Sequence, residues 1–239
     1  KEWILNKLEN QIDFLTLLKK HRSQQAEYLD FQIETIKKSL DNIDKFKFDK
    51  IEDAAELIRG NEGFAGKIYF ETLSKLLSKE YQFNGRSKRP ALDMFNAFLN
   101  YAYGILYSRV EKALLIAGID PYLGFLHRDD YNQKSMVFDF IEPFRTYADE
   151  VVYKLFTAKK VSNIHIDNLS VGVSLNSEGK ALLVEKFMPF LDEDTIKFKN
   201  KNFTRQNVIQ QTAFNFAGQL INRKQKDEAL EKYDLLGDV

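Results

Sequence analysis

Apolar residues recur at spacings of three and four along most of this 239-residue chain, the period of the α-helix. Leu5, Leu8, Ile12 and Leu15 form one stripe, and Tyr28, Phe31 and Thr35 carry a second amphipathic stretch toward Leu40. The polar segment Asp41 to Lys50 reads as a loop, followed by a short helix from Asp53 to Ile58 that ends at Gly60. Glu62 to Lys79 reads as a further helix with Phe64, Ile68, Leu73, Leu76 and Leu77 turned inward. Phe83-Asn84-Gly85-Arg86 is a turn signal, and Pro90 with Asp93 marks the approach to a long helix. Its buried stripe is Phe95, Phe98, Leu99, Ala102, Leu106, Val110 and Leu114, ending before Gly118. Lys134 to Phe156 is helical, with Pro143 imposing a bend or an irregular turn near Asp139. Asn176 to Leu191 and Thr204 to Arg223 complete the set. Strand-like alternation is nearly absent and no internal repeat is visible. The pattern predicts an all-α fold, an irregular bundle of about eight to ten helices.

Asn96, Asn100, Tyr103 and Tyr107 form a polar stripe at the same helical spacing as the apolar one. Asparagine in a helix interior costs propensity, so this stripe is expected to face a site or a polar groove, the alternative being simple solvation. Hydrophobic residues at 44% and charged residues at 29% indicate an ordinary globular protein. The absence of cysteine excludes disulfides, zinc ribbons, thiol catalysis and iron–sulfur ligation, and is compatible with a cytoplasmic location. No apolar run approaches the roughly 20 residues that span a bilayer, and no secretory signal pattern opens the chain. The opening Lys-Glu-Trp, without Met, leads us to expect a fragment or a processed form. Net charge is zero, but the charges are segregated. From Thr195 to Lys226 there is no Asp or Glu, while Lys197, Lys199, Lys201, Arg205, Arg223, Lys224 and Lys226 fall in that window. Arg86, Lys88 and Arg89 form a second basic cluster. Such segregation sets the field a polyanion would meet, or else marks a solvated basic face.

The densest candidate chemistry lies between Gly124 and Arg145. His127, one of three histidines, follows Gly124-Phe125-Leu126, and Asp139 and Glu142 stand three residues apart, neighbours on one helix face. A mixed nitrogen and oxygen donor set among apolar residues suits a divalent cation. Each residue also has a structural reading. A lone histidine near apolar neighbours is often a satisfied core residue, and the two carboxylates can pair with Arg145 on a helix surface. Glu62, between Gly60 and Gly63, reads as a dipole partner at a helix start.

Several ordered motifs carry a resemblance. Asn6-Lys7-Leu8-Glu9-Asn10-Gln11, Asn61-Glu62-Gly63 with Tyr69-Phe70, Phe83-Asn84-Gly85-Arg86 with Arg89-Pro90, and Asn96-Ala97-Phe98-Leu99-Asn100-Tyr101-Ala102-Tyr103-Gly104 come first. Gly118-Ile119-Asp120-Pro121, Gly124-Phe125-Leu126-His127, Asp139-Phe140-Ile141-Glu142-Pro143-Phe144-Arg145 and Leu182-Leu183-Val184-Glu185-Lys186-Phe187 follow. In this order they resemble the C-terminal helical domain of the CRISPR-associated adaptation integrase family, from roughly Asn6 to Arg223. The resemblance implies a helical part over 1–60, a metal-site core over 61–226 and an acidic tail over 227–239, without the family's β-rich N-terminal domain. It implies a Mg2+ or Mn2+ site held by Glu62, His127 and Glu142, with Asp139 as a neighbouring or alternate ligand. The implied activity is that of a metal-dependent DNA endonuclease and integrase, which inserts spacer DNA into a CRISPR array by transesterification. The implied partners are DNA and a small adaptation subunit, with a homodimer in the complete protein. Arg59, Arg86, Lys88, Arg89 and Arg145 are candidate phosphate contacts, and Tyr103 and Tyr107 are candidates for stacking on a base. The competing expectations are a DNA- or partner-binding helical module without catalysis and a helical scaffold with no chemistry.

Overall fold

The computed structural model describes residues 1–47, 51–124 and 133–234, with only the backbone described for 51–53 and 224–234. Among them are eight α-helices: α1 (Glu2–Lys19), α2 (Ala26–Lys45), α3 (Ile51–Leu76), α4 (Met94–Ile116), α5 (Ser135–Phe140), α6 (Arg145–Thr157), α7 (Ser177–Asp192) and α8 (Arg205–Asp234). Two small antiparallel hairpins, β1 (Ile166–Asn168) with β2 (Val173–Leu175) and β3 (Thr195–Phe198) with β4 (Lys201–Thr204), join the later helices. The fold is the all-α irregular bundle that the apolar spacing predicts. No helix among the described residues is long and apolar enough to cross a membrane.

Helix α4 is the axis of the bundle, packed by α5, α6, α7 and α8. It starts where Asp93 accepts a hydrogen bond from the Asn96 amide at 2.7 Å, which satisfies one of the free donors of the first turn. Its predicted stripe, Phe95 through Leu114, is buried throughout. Phe95 stacks on Phe83 at 4.2 Å between ring centroids, and Phe156 of α6 meets both Phe95 and Phe98 edge-on at 5.2 and 5.6 Å. The segment around Pro143 is irregular as expected: α5 ends at Phe140, a 3-10 turn spans Glu142–Phe144, and α6 follows.

The sequence pattern misplaces four features. Asp41 to Lys45 belongs to α2 rather than to a loop, because Ile43 extends the buried row Leu29, Ile33, Ile36. Within α2, Tyr28 and Leu40 pack against the core as expected, but Phe31 is largely exposed. Helix α3 runs unbroken through Gly60 and Gly63, joining the two helices expected on either side, and Phe64 points outward. Glycine in a helix interior costs up to ~1 kcal/mol, which the packing of Ala54, Ile58, Ala65, Tyr69 and Leu73 offsets. The hairpins are too short for alternation to show. The β3–β4 turn places Lys199 and Asn200 at φ 47° and 64°, the left-handed pair that a tight hairpin requires. In the other hairpin Gly172 sits at φ 81° against Ala91, where an added Cβ would fall 2.2 Å from the Ala91 carbonyl oxygen, so only glycine lets Val173 pair with Ala91.

Candidate metal centre

Four elements meet at a cleft of about 570 Å3. Helix α1 contributes Lys7 and Gln11, α3 contributes Glu62 with Gly63 and Gly66, the 3-10 turn contributes Glu142, and α6 opens with Arg145. Gly85, Arg86 and Lys88 close one side. The arrangement is fixed from below by Asn10, whose Nδ2 donates to the Pro143 carbonyl at 2.7 Å and ties α1 to the irregular turn. Pro143 interrupts the helix and puts Glu142 on that turn rather than on a continuous helical face. A Cβ at Gly63 or Gly66 would meet nothing within 4 Å, so this wall of the cleft is bare backbone.

Glu62 and Glu142, eighty residues apart in sequence, meet on one ammonium. Lys7 Nζ donates to Glu62 Oε1 and stands 2.7 Å from Glu142 Oε2. Arg145 grips the other oxygen, Glu142 Oε1, through Nε at 2.9 Å and its terminal nitrogen at 2.8 Å. Glu142 Oε2 is buried, and the Lys7 ammonium at 2.7 Å is its charge partner. Burial alone would raise the Glu142 pKa; Lys7 and Arg145 outweigh it and hold the carboxyl at about 2. Burial would likewise lower Lys7 and Arg145, and the facing carboxylates, Glu142 foremost, instead push both upward.

Below this cluster lies a further carboxylate that local sequence does not reveal. Asp149 is fully buried and accepts from the hydroxyls of Tyr103 at 2.6 Å and Tyr69 at 3.1 Å. The Tyr103 ring carries two guanidiniums, Arg145 at 4.9 Å and Arg86 at 5.2 Å from its centroid. Arg145 also donates to the Tyr107 hydroxyl at 3.1 Å. Asn96 and Asn100 each take an Arg86 nitrogen at 2.6 Å, so the polar stripe of α4 faces the site as predicted and acts there as a clamp. Desolvation raises Asp149 to about 6, the two tyrosine hydroxyls and the arginines only partly countering it. A carboxyl whose folded-state pKa lies above its unfolded value opposes folding once ionised. Stability therefore falls as pH rises from about 4 through 6 and levels off above. A carboxyl raised from about 4 to about 6 corresponds to roughly 3 kcal/mol. We expect the stability difference between wild type and Asp149→Asn to change by roughly that amount between pH 4 and pH 7 in urea titrations. A difference independent of pH would refute this reading of Asp149.

Of the expected site residues, Glu62 and Glu142 are brought together. Glu62 lies in the middle of α3, which removes the reading of it as a dipole partner at a helix start. Asp139 is buried in α5 and lines the same cleft. His127 lies outside the described residues, and among the described residues no group of three His, Asp or Glu side chains is placed to hold a metal. Arg59, Arg86 and Lys88 line the cleft, and Arg89 borders a neighbouring groove with Lys88 and Pro90. Arg145 is already paired. Tyr103, expected as a stacking platform, is 6% exposed with its ring taken by two guanidiniums, so a base finds no free face on it. Sequence reasoning gives Lys7 no role, although one signal is present: it is a lysine beside the inward residues Ile4, Leu8, Gln11 and Leu15. Asp149 likewise shares the inward phase of Val152, Tyr153 and Phe156.

Comparison with known proteins gives the family. The model of the family CRISPR associated protein Cas1 matches residues 1–188. A CRISPR-associated endonuclease Cas1 of Archaeoglobus fulgidus is 32% identical over 220 residues, 87% of this chain and 64% of that protein. One from Thermodesulfovibrio yellowstonii is 34% identical over 195 residues, 81% of this chain and 58% of the relative. The chain thus spans under two thirds of the length of these relatives. Among solved structures, a casposase bound to integration product superposes with a TM-score of 0.77 at 26% identity, covering 93% of this chain and 59% of that one. A CAS1 protein from Thermotoga maritima shares the fold, with a TM-score of 0.75 at 22% identity over 92% of this chain and 64% of that one. With nearly four fifths of its length under one family model, the chain belongs to the Cas1 family of CRISPR associated proteins.

Proposed function

We propose that this chain is the helical catalytic part of a metal-dependent DNA endonuclease and integrase that inserts spacer DNA into a CRISPR array. The observation that carries the reading is the convergence of Glu62 and Glu142 on one buried cation position. Two carboxylates converging on one cation, with Glu142 Oε2 buried 2.7 Å from it, are a donor set suited to Mg2+ or Mn2+. Glu62, Glu142 and His127 would hold the ion, with Asp139 beside them. When bound, it supplies Lewis-acid polarisation of a phosphodiester and a lowered pKa for an attacking hydroxyl. The residues of the chain do the rest. Arg145 fixes the Glu142 carboxylate through Oε1 and leaves Oε2 facing the cation position. Arg59, Arg86 and Lys88 set a positive rim along the cleft for phosphate oxygens, and the bare wall at Gly63 and Gly66 admits a strand against the backbone. The reaction is a transesterification: a DNA 3′-hydroxyl forms a new bond to phosphorus as the original 3′-oxygen departs. A casposase relative of the same fold is known bound to its integration product, which supports a DNA substrate. The small adaptation subunit and a homodimer belong to the complete protein in this proposal.

A manganese soak with anomalous diffraction tests the site. The peak is expected between Glu62 and Glu142 with His127 adjoining, and a peak elsewhere or none would overturn the assignment. The competing reading, a DNA- or partner-binding module without catalysis, is favoured by one observation: Lys7 already fills the cation position.

The basic hairpin supplies a second test. Lys197, Lys199 and Lys201 are exposed on β3, β4 and their turn. Reversing all three charges is expected to weaken DNA binding and lower the salt slope of log affinity by up to ~0.9 for each phosphate that is no longer neutralised. An unaltered slope in fluorescence anisotropy titrations would return the hairpin to a solvated face.

A further inference from the structure

The residue that the metal chemistry leaves unexplained is Lys7. It is buried to 9% exposure on α1, and its ammonium stands between Glu62 and Glu142. A lysine is seldom buried without a charge partner, and here two partners are the proposed ligands themselves. Arg145 already neutralises Glu142 through Oε1, so a second cation is not needed merely to satisfy that carboxylate. Lys7 addresses the other oxygen, the one facing Glu62.

We propose that Lys7 is a tethered stand-in for the metal ion: it holds the two carboxylates together in the metal-free protein and must be displaced when a divalent cation binds. The inference rests on the metal reading of Glu62 and Glu142. Carboxylate oxygens bind Mg2+ at about 2.0–2.1 Å, and such an ion would take the volume that Nζ occupies 2.7 Å from Glu142 Oε2. Ammonium and metal cannot share that point, and at a separation of about 4 Å two positive charges repel strongly in a partly desolvated cleft. The lysine arm is four carbons long and flexible, so it can withdraw into the cleft that it lines. The ion pairs it gives up then count against metal affinity. The site stays assembled without metal, and its apparent affinity is lower than that of its ligands alone. Lys7 is accordingly a positioning residue, which acts on the reaction only through the metal ligands.

The test compares Mn2+ binding by calorimetry for wild type, Lys7→Met and Lys7→Arg, with thermal unfolding measured with and without Mn2+. Lys7→Met keeps the aliphatic stem and removes the charge. We expect it to bind Mn2+ at least tenfold more tightly than wild type, to unfold at a lower temperature when metal-free, and to gain more in Tm from saturating Mn2+. Lys7→Arg, which keeps the charge on a larger head, is expected to bind Mn2+ severalfold more weakly than wild type. Wild-type binding with unchanged or weaker binding in Lys7→Met overturns the inference and leaves the metal site standing. Folded wild type and folded Lys7→Met that both fail to bind Mn2+ overturn the metal reading and the inference with it. Should Lys7→Met not fold without metal, Lys7→Arg decides, and an affinity equal to wild type overturns the proposal.

Discussion

His127→Ala is expected to reduce manganese-dependent cleavage and strand joining of branched DNA by about 10³-fold or more, with the helical circular dichroism spectrum unchanged. Removing a ligand weakens the polarisation of the phosphodiester, an effect of several kcal/mol, and each 1.36 kcal/mol corresponds to about a factor of ten in rate. Glu142→Gln is expected to lose as much activity and to be less stable, because it also takes the charge from between Lys7 and Arg145. The two variants therefore separate chemistry from packing. His127→Ala isolates the ligand contribution, and Glu142→Gln adds the loss of a buried carboxylate whose pKa is held at about 2. DNA affinity without metal is expected to change little in His127→Ala, since the basic rim is intact. Full activity in a folded His127→Ala protein would sink the proposed mechanism, and intact activity in Glu142→Gln would remove Glu142 from the ligand set.

The helical class and most of α4 are legible in the sequence because an amphipathic helix repeats its signal over many turns. The stripe from Phe95 to Leu114 gives seven concordant positions, and all are buried. The misplaced features share a cause. Gly60 and Gly63 read as punctuation, yet tertiary packing on one face of α3 outweighs their local cost. Phe31 in α2 misleads because an aromatic ring at the surface looks, in sequence, like one in the core. Hairpins of three or four residues per strand carry too little alternation to be seen.

At the site, local spacing identifies Glu142 and Arg145 as an i, i+3 pair, which the structure contains. Local spacing cannot join Glu62 to Glu142, since that contact depends on how α1, α3 and the Pro143 turn converge. The motif order supplies the link, and the structure supplies Lys7 as the physical bridge. Asp149 is invisible in sequence for a similar reason: its partners Tyr69 and Tyr103 lie 80 and 46 residues away.

Arg145→Ala is expected to lower the unfolding free energy by about 3–5 kcal/mol, the range for removing one partner of a buried ion pair. The guanidinium does three things at once. It binds Glu142 Oε1 through two nitrogens, donates to the Tyr107 hydroxyl, and lies 4.9 Å from the centroid of Tyr103, whose own hydroxyl is held by Asp149. It thereby touches both the metal-site carboxylate and the ring above the buried Asp149. Alanine leaves Glu142 with Lys7 as its charge partner and leaves Tyr103 packed under Arg86 alone. Lys7 alone is not expected to rescue the site, because its one ammonium is shared with Glu62. Arg145→Lys keeps the charge but loses the planar two-point grip and the stacking, so it is expected to recover less than half of the loss. Because the pair is buried, the destabilisation should persist at about 0.5 M salt, where a surface pair would be screened. Urea unfolding of the three proteins at low and high salt decides the matter. A loss under about 1 kcal/mol, or one that vanishes with salt, would place Arg145 among surface charges and detach the Asp149 network from the metal centre.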